Sequence, residues 1–168
     1  MKNLLFTAVI MTVISTQARS LMPHKPYRTA NMEVTHATGE FSNVTEVKLT
    51  EWSYPVQDQS QALREGNLLV LEVNGKELGA MINKVEEAGC GSKKVIANTF
   101  SQGPQRSVSD QLQIELVDHS TRVCEDLQPN MWVAKVILSP LSHRRLTSSM
   151  DIQGNPSSIK AQVLTAKI

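Results

Sequence analysis

The sequence predicts a mainly β domain, an antiparallel β-sandwich or small β-barrel of about eight or nine strands with at most one short helix. Three observations predict this class. Short runs of apolar and β-branched residues recur along the chain. Gly, Pro and Asn turn residues separate these runs. Several runs alternate apolar with polar side chains, as a sheet with one solvent-exposed face requires.

An extended lead over residues 21–31 precedes the predicted strands, because Pro23 and Pro26 prevent a regular helix there. A turn is predicted over residues 39–43, where Gly39 begins a polar stretch. The remaining runs predict strands in order over residues 32–37, 44–52, 68–73, 94–100, 111–117, 131–138 and 159–168.

Residues 76–88 can be interpreted in two ways. The preceding Asn74-Gly75 pair is the preferred type I′ hairpin dipeptide, which favours a strand. The apolar residues that follow also recur at the i, i+3, i+4 and i+7 spacing of an amphipathic helix. Gly79 would destabilise such a helix by about 1 kcal/mol relative to Ala. We favour the hairpin and leave the helix as the alternative.

The N-terminus has the parts of a cleavable signal peptide over residues 1–20. The positively charged Lys2 precedes an apolar run over residues 4–14. Small residues follow this run and allow cleavage after Ala18 or Ser20. The apolar run is shorter than the ~20 residues that a membrane-spanning helix needs. Residues 21–168 are therefore predicted to be a single exported domain, periplasmic or secreted, that does not span a membrane after cleavage.

Length and charge limit the function. Removing 18 or 20 of the 168 residues leaves 150 or 148, which is one domain of ordinary size. The chain carries 17 Lys+Arg and 16 Asp+Glu, and cleavage removes Lys2 alone or Lys2 with Arg19. Nucleic-acid binding needs a concentrated basic field, which a balanced surface does not supply. We expect the partner to be a protein or a cell-envelope component, and not a nucleic acid.

Two cysteines, Cys90 and Cys124, are present, and both lie in the exported part. An isolated pair in an oxidising compartment predicts a disulfide. In the chain-entropy model a loop of that size stabilises the fold by roughly 3.5–4 kcal/mol. The alternative is a nucleophilic or redox cysteine, although no Cys-x-x-Cys motif occurs.

No motif in the sequence predicts a catalytic, metal or cofactor site. The four histidines lack the short spacing of zinc ligands. Asp118, His119 and Ser120 are the residue types of a hydrolase triad, but neighbours on a strand point to opposite faces. The chain has neither a Gly-x-Ser-x-Gly elbow nor a Gly-rich phosphate loop.

The candidate binding residues are two aromatics and a basic tripeptide. Trp52 and Trp132 would stack on a sugar or anchor a partner if exposed, although core packing is the more common use of such residues. His143-Arg144-Arg145 lies in a predicted long loop over residues 139–158. It is suited either to binding a carboxylate or phosphate, or to being a protease-sensitive tip.

Asn43-Val44-Thr45 matches the sequon for N-linked glycosylation. It has physical meaning only in a host that glycosylates exported proteins. The single Lys2 in the charged region of the signal peptide does not identify that host, and we favour a bacterial one.

These observations favour a small exported binding protein without catalytic activity, which recognises its partner through loops on a β scaffold. A second hypothesis is an exported hydrolase whose residues come from separate strands, with His119, Asp118 or Glu125 close in space. A third is a secreted enzyme inhibitor that presents residues 139–158 or 102–110 to its target.

Overall fold

The strands form one continuous antiparallel sheet. The computed structural model describes residues 25–53, 62–99, 110–119, 130–140 and 146–159. The strands are β1 Lys25–Thr38, β2 Glu46–Ser53, β3 Leu68–Val73, β4 Lys76–Glu87, β5 Lys93–Thr99, β6 Asp110–His119, β7 Met131–Pro140, β8 Ser148–Gly154 and β9 Ser157–Ser158. A 3₁₀ turn, Gly39–Phe41, follows β1.

The sheet closes on itself. Each strand from β1 to β8 pairs with the next one along the chain, and β8 pairs in turn with β1. The result is an eight-stranded antiparallel up-and-down barrel. Of the two architectures that the sequence left open, the barrel is the one that forms, and the sandwich is not.

The short strand β9 continues the register of β8 along β1. Glu33 is opposite Gln153, and Thr29 is opposite Ser157, so the two pairings share one offset. Between them, residues 154–156 leave the ladder opposite residues 30–32. Strand β9 is therefore the far part of β8, resumed after a three-residue break.

Alternate strand residues point into the barrel and form its core. An eight-stranded barrel is just wide enough for side chains to fill it. The largest fully buried apolar side chains are Trp132, Met32, Leu49, Leu63, Leu69, Leu71, Ile82, Ile114, Leu116, Met150 and Ile152. Burying a Leu- or Ile-sized side chain contributes about 1.5–3 kcal/mol.

The two ends of the barrel differ. We call one end of the barrel the upper end. It carries the connections from β1 to β2, from β3 to β4, from β5 to β6 and from β7 to β8. Its connections are residues 39–45, 74–75, 100–109 and 141–147. The opposite end is the lower end, with connections 54–67, 88–92 and 120–130. Phe41 is buried at the upper end and Leu63 at the lower one.

The hairpin predicted after Asn74-Gly75 is confirmed. Both residues have positive φ, 50° and 75°, and residues 76–87 form β4. A bulge between Ile82 and Lys84 shifts which residues face inward. Ile82 and, past the bulge, Val85 therefore both pack against the core. Because the bulge changes the alternation within β4, its apolar residues have the i, i+3, i+4 and i+7 spacing that is also typical of a helix.

Two boundaries predicted from sequence are wrong. Residues 25–31 of the extended lead belong to β1 and pair with β2, so they are part of the barrel. The long loop over residues 139–158 contains β8 and β9. The side chains of β8 that point into the barrel are Ser148, Met150 and Ile152. Because the first of them is a polar serine, the alternation of apolar and polar residues is hard to recognise in the sequence. Of the predicted closing strand, residues 160–168 lie outside the described residues.

Candidate functional site

A buried ionic network lies inside the lower end of the barrel. The Arg28 side chain of β1 points inward and meets two carboxylates. Its Nε donates to Glu51 Oε2 on β2 at 3.1 Å, and its Nη1 donates to Asp118 Oδ2 on β6 at 2.9 Å. Both carboxylates are almost completely buried. The inward position on each strand follows from the same alternation that buries the apolar residues.

Glu51 also holds the segment that follows β2. Its Oε1 accepts hydrogen bonds from the Leu63 backbone N–H at 2.6 Å and from Asn67 Nδ2 at 2.7 Å. The Leu63 side chain is buried, and its φ is 48°. The carboxylate therefore fixes residues 63–67 to the wall of the barrel at the lower end.

Trp132 packs against the same guanidinium. The Arg28 Cζ lies 4.8 Å from the centroid of the Trp132 ring and 5.9 Å from that of Tyr27. A cation over an aromatic face gains more when the site is desolvated. The Trp132 side chain is fully buried, so it belongs to the core and offers no exposed face to a ligand.

Three buried polar atoms of this network have no hydrogen-bond partner among the described residues. They are Arg28 Nη2, Asp118 Oδ1 and Trp132 Nε1. Two of these atoms are donors and one is an acceptor. Two carboxyl groups share a single guanidinium. The arrangement is suited to holding the barrel together.

Asp118 and His119 do not form a catalytic pair. Asp118 points into the barrel towards Arg28, whereas His119 Nδ1 lies 2.9 Å from Ser92 Oγ. The two side chains thus point to opposite faces of β6, as the alternation along a strand predicts. Ser120 and Glu125, the other residues of the hydrolase hypothesis, lie outside the described residues.

The two cysteines belong to connections at the lower end. Cys90 is exposed in the turn between β4 and β5 and has a φ of 52°. The Ser92–His119 contact joins this turn to the end of β6, after which the chain continues towards Cys124. Cys124 itself lies outside the described residues.

The basic tripeptide His143-Arg144-Arg145 lies outside the described residues, as do residues 102–109. The strands on either side nevertheless assign both segments to connections at the upper end. Leu146, which follows the tripeptide, is 88% exposed. Trp52 is half-buried, and its Nε1 has no hydrogen-bond partner among the described residues.

A groove opens where the ladder between β1 and β8 is broken. Its volume is about 460 Å³, and its lining includes Asn31, Glu33, Glu46, Gln153 and Asn155. Glu33 on β1 lies directly opposite Glu46 on β2. Two like charges in opposite positions repel each other and destabilise the pairing of the strands. This groove could not be predicted from local sequence patterns alone, because the break depends on the register between distant strands. Gly154 and Pro156 were the local signal for it.

Two features are absent from the described ranges. In these ranges no group of three or more His, Cys, Asp or Glu residues is arranged to hold a metal ion. No helix there is long and apolar enough to cross a membrane.

Comparison with known proteins gives no relative. No protein-family model matches the chain, and no curated protein or solved structure is significantly similar to it. The class that the fold defines is an eight-stranded up-and-down β-barrel with a filled interior.

Proposed function

We propose that the chain is a small exported binding protein without catalytic activity, and that it recognises a protein or a cell-envelope component through its upper end. The observation that carries this proposal is the asymmetry of the barrel. The Arg28 network joins β1, β2, β6 and residues 63–67 at the lower end. The connections of the upper end are thus carried by a closed scaffold, and binding residues concentrate in the loops of rigid folds.

Adjacent connections at the upper end supply the binding surface. Because β8 pairs with β1, residues 141–147 leave the barrel beside the turn over residues 39–45. The backbone N–H of Glu40 donates to Ser148 Oγ at 2.8 Å, which ties the turn over residues 39–45 to the first residue of β8. The basic tripeptide in residues 141–147 would supply cationic donors for an acidic partner.

Export and a disulfide are part of this proposal. The signal peptide that the sequence predicts over residues 1–20 supports export. A Cys90–Cys124 disulfide is supported by the Ser92–His119 contact, which brings the turn carrying Cys90 against the strand end that leads to Cys124. Intact mass before and after reduction and alkylation tests the bond. Two free thiols in exported protein would rule it out.

Partner capture tests the function. The exported protein is immobilised and exposed to the envelope fraction and medium of its own host, in parallel with R144A/R145A. We expect captured partners whose affinity falls at least tenfold in the variant. K84A/K93A is the matched control, because it removes two exposed cations near the lower end. Equal loss in both variants, or no loss in R144A/R145A, would overturn the proposal.

A further inference from the structure

The turn between the 3₁₀ segment and β2 presents one asparagine to solvent in a complete sequon. Asn43, Val44 and Thr45 form the motif Asn-x-Thr. Asn43 and Thr45 are exposed, whereas Val44 between them is 6% exposed and packs in the core. Asn43 therefore lies in a turn whose next residue, Val44, holds the chain to the core, while the side chains on either side of Val44 face solvent.

The backbone around Asn43 is well fixed. The Ser42 N–H donates to the Gly39 carbonyl at 3.2 Å, and the Val44 N–H donates to the Phe41 carbonyl at 2.9 Å. On the other side, the Val34 N–H donates to the Thr45 carbonyl at 2.9 Å. The buried Phe41 and Val44 side chains anchor the turn on both sides of the asparagine. A group attached at Asn43 would extend into solvent without disturbing the core.

We propose that Asn43 is an N-glycosylation site, modified when the chain enters a eukaryotic secretory pathway. This inference rests on the proposed export. The Asn43 side-chain nitrogen bonds to the anomeric carbon of a lipid-linked oligosaccharide. The bond from that carbon to the diphosphate oxygen breaks, the lipid diphosphate leaves, and the amide loses one proton.

A second Asn-x-Ser sequence in the chain serves as a built-in control. Asn155-Pro156-Ser157 has proline at the middle position, which the sequon excludes. Asn155 is exposed, like Asn43. The sequon rule separates the two sites by the middle residue, Val44 against Pro156, although Ser157 also pairs with Thr29 in β9 whereas Thr45 precedes β2.

The test uses the full-length chain, translated in a cell-free system with microsomes of the endoplasmic reticulum. Protease protection reports import, and a mobility shift removed by an endoglycosidase reports modification. We expect one shift for the wild type, none for N43Q or T45A, one for T45S and two for P156A. Imported wild-type protein without a shift would overturn the inference, as would a wild-type shift that survives in N43Q.

A parallel chain, in which an established secretory signal replaces residues 1–20, separates the two proposals. If only this chain is imported, the proposed export fails while glycosylation is still measured. If this chain is imported and stays unmodified, glycosylation of Asn43 is wrong whatever the native leader does.

Discussion

Arg28 and Asp118 form an ion pair that spans the inside of the barrel. They lie 90 residues apart in sequence, on strands that are not neighbours in the sheet, and 2.9 Å separates their nearest atoms. Arg28 binds Glu51 of the adjacent strand at the same time. One guanidinium thus ties strands from opposite sides of the barrel, with Trp132 packed against it.

Removing the guanidinium should be strongly destabilising. In R28M two buried carboxylates lose their counter-charge, and breaking a buried pair in this way costs about 3–5 kcal/mol. The free energy of unfolding from urea denaturation measures the effect. K48M is the matched control, because Lys48 and Glu72 form an exposed pair 3.7 Å apart on β2 and β3. Its loss should be about 1 kcal/mol or less, and a similar loss in both variants would contradict the role of the network.

Replacing Glu51 or Asp118 by its amide should affect stability to different extents. Glu51 Oε1 accepts two hydrogen bonds, whereas Asp118 Oδ1 has no partner among the described residues. In D118N the amide nitrogen can take that position without facing a donor. In E51Q it must face either Arg28 or the donors of residues 63–67, which leaves a buried donor unsatisfied at about 1–3 kcal/mol. Denaturation midpoints should therefore rank E51Q below D118N, and the reverse order would contradict this assignment.

Gly154 should be far less tolerant of alanine than Gly79. A methyl group at Gly154 would overlap the Asn31 carbonyl oxygen and come 2.9 Å from Met32 Sδ. Such overpacking against backbone costs about 1–3 kcal/mol. At Gly79 the added carbon meets only Leu68 Cδ1, at an ordinary 3.7 Å. We expect G154A to lower the melting temperature, and G79A to leave it unchanged or raise it, since alanine suits a strand interior better by about 0.5–1 kcal/mol.

One carboxyl group has a shifted titration with an identifiable cause. The Lys84 ammonium donates a hydrogen bond to Glu86 and attracts it, which holds the pKa of Glu86 below its ordinary value of 4.5. A lowered folded-state pKa contributes stability above the unfolded-state pKa, and this contribution is lost as the pH falls through the folded-state value. In K84M the pKa of Glu86 should rise towards 4.5, while Lys94 still lowers it slightly.

A carbon-detected NMR titration of Glu86 measures this change. K48M serves again as the control, because Lys48 pairs with Glu72 and should leave the Glu86 titration unaltered. An unchanged Glu86 pKa in K84M would show that another group causes the shift.

Local patterns predicted most strands, and non-local relationships could not be predicted. The alternation of Leu112, Ile114 and Leu116 and the Asn74-Gly75 turn are local, and both appear as expected. Closure into a barrel depends on pairing between β8 and β1, more than 100 residues apart, for which no local pattern exists.

The Arg28 network was missed for the same reason. Arg28 was part of a lead that Pro23 and Pro26 made look irregular, and its carboxylate partners lie 23 and 90 residues away. A charged residue at an inward position of a strand was the available signal. Glu51 and Asp118 both continue the inward alternation of buried apolar residues on their strands.

The central claim is that the upper end of the barrel binds the partner while the lower end holds the fold. Hydrogen–deuterium exchange of the exported protein, with and without its captured partner, tests this claim most directly. We predict that added protection concentrates in residues 39–45, 100–109 and 141–147, with residues 62–67 and 88–92 unchanged. Protection confined to residues 62–67 and 88–92 would contradict the account.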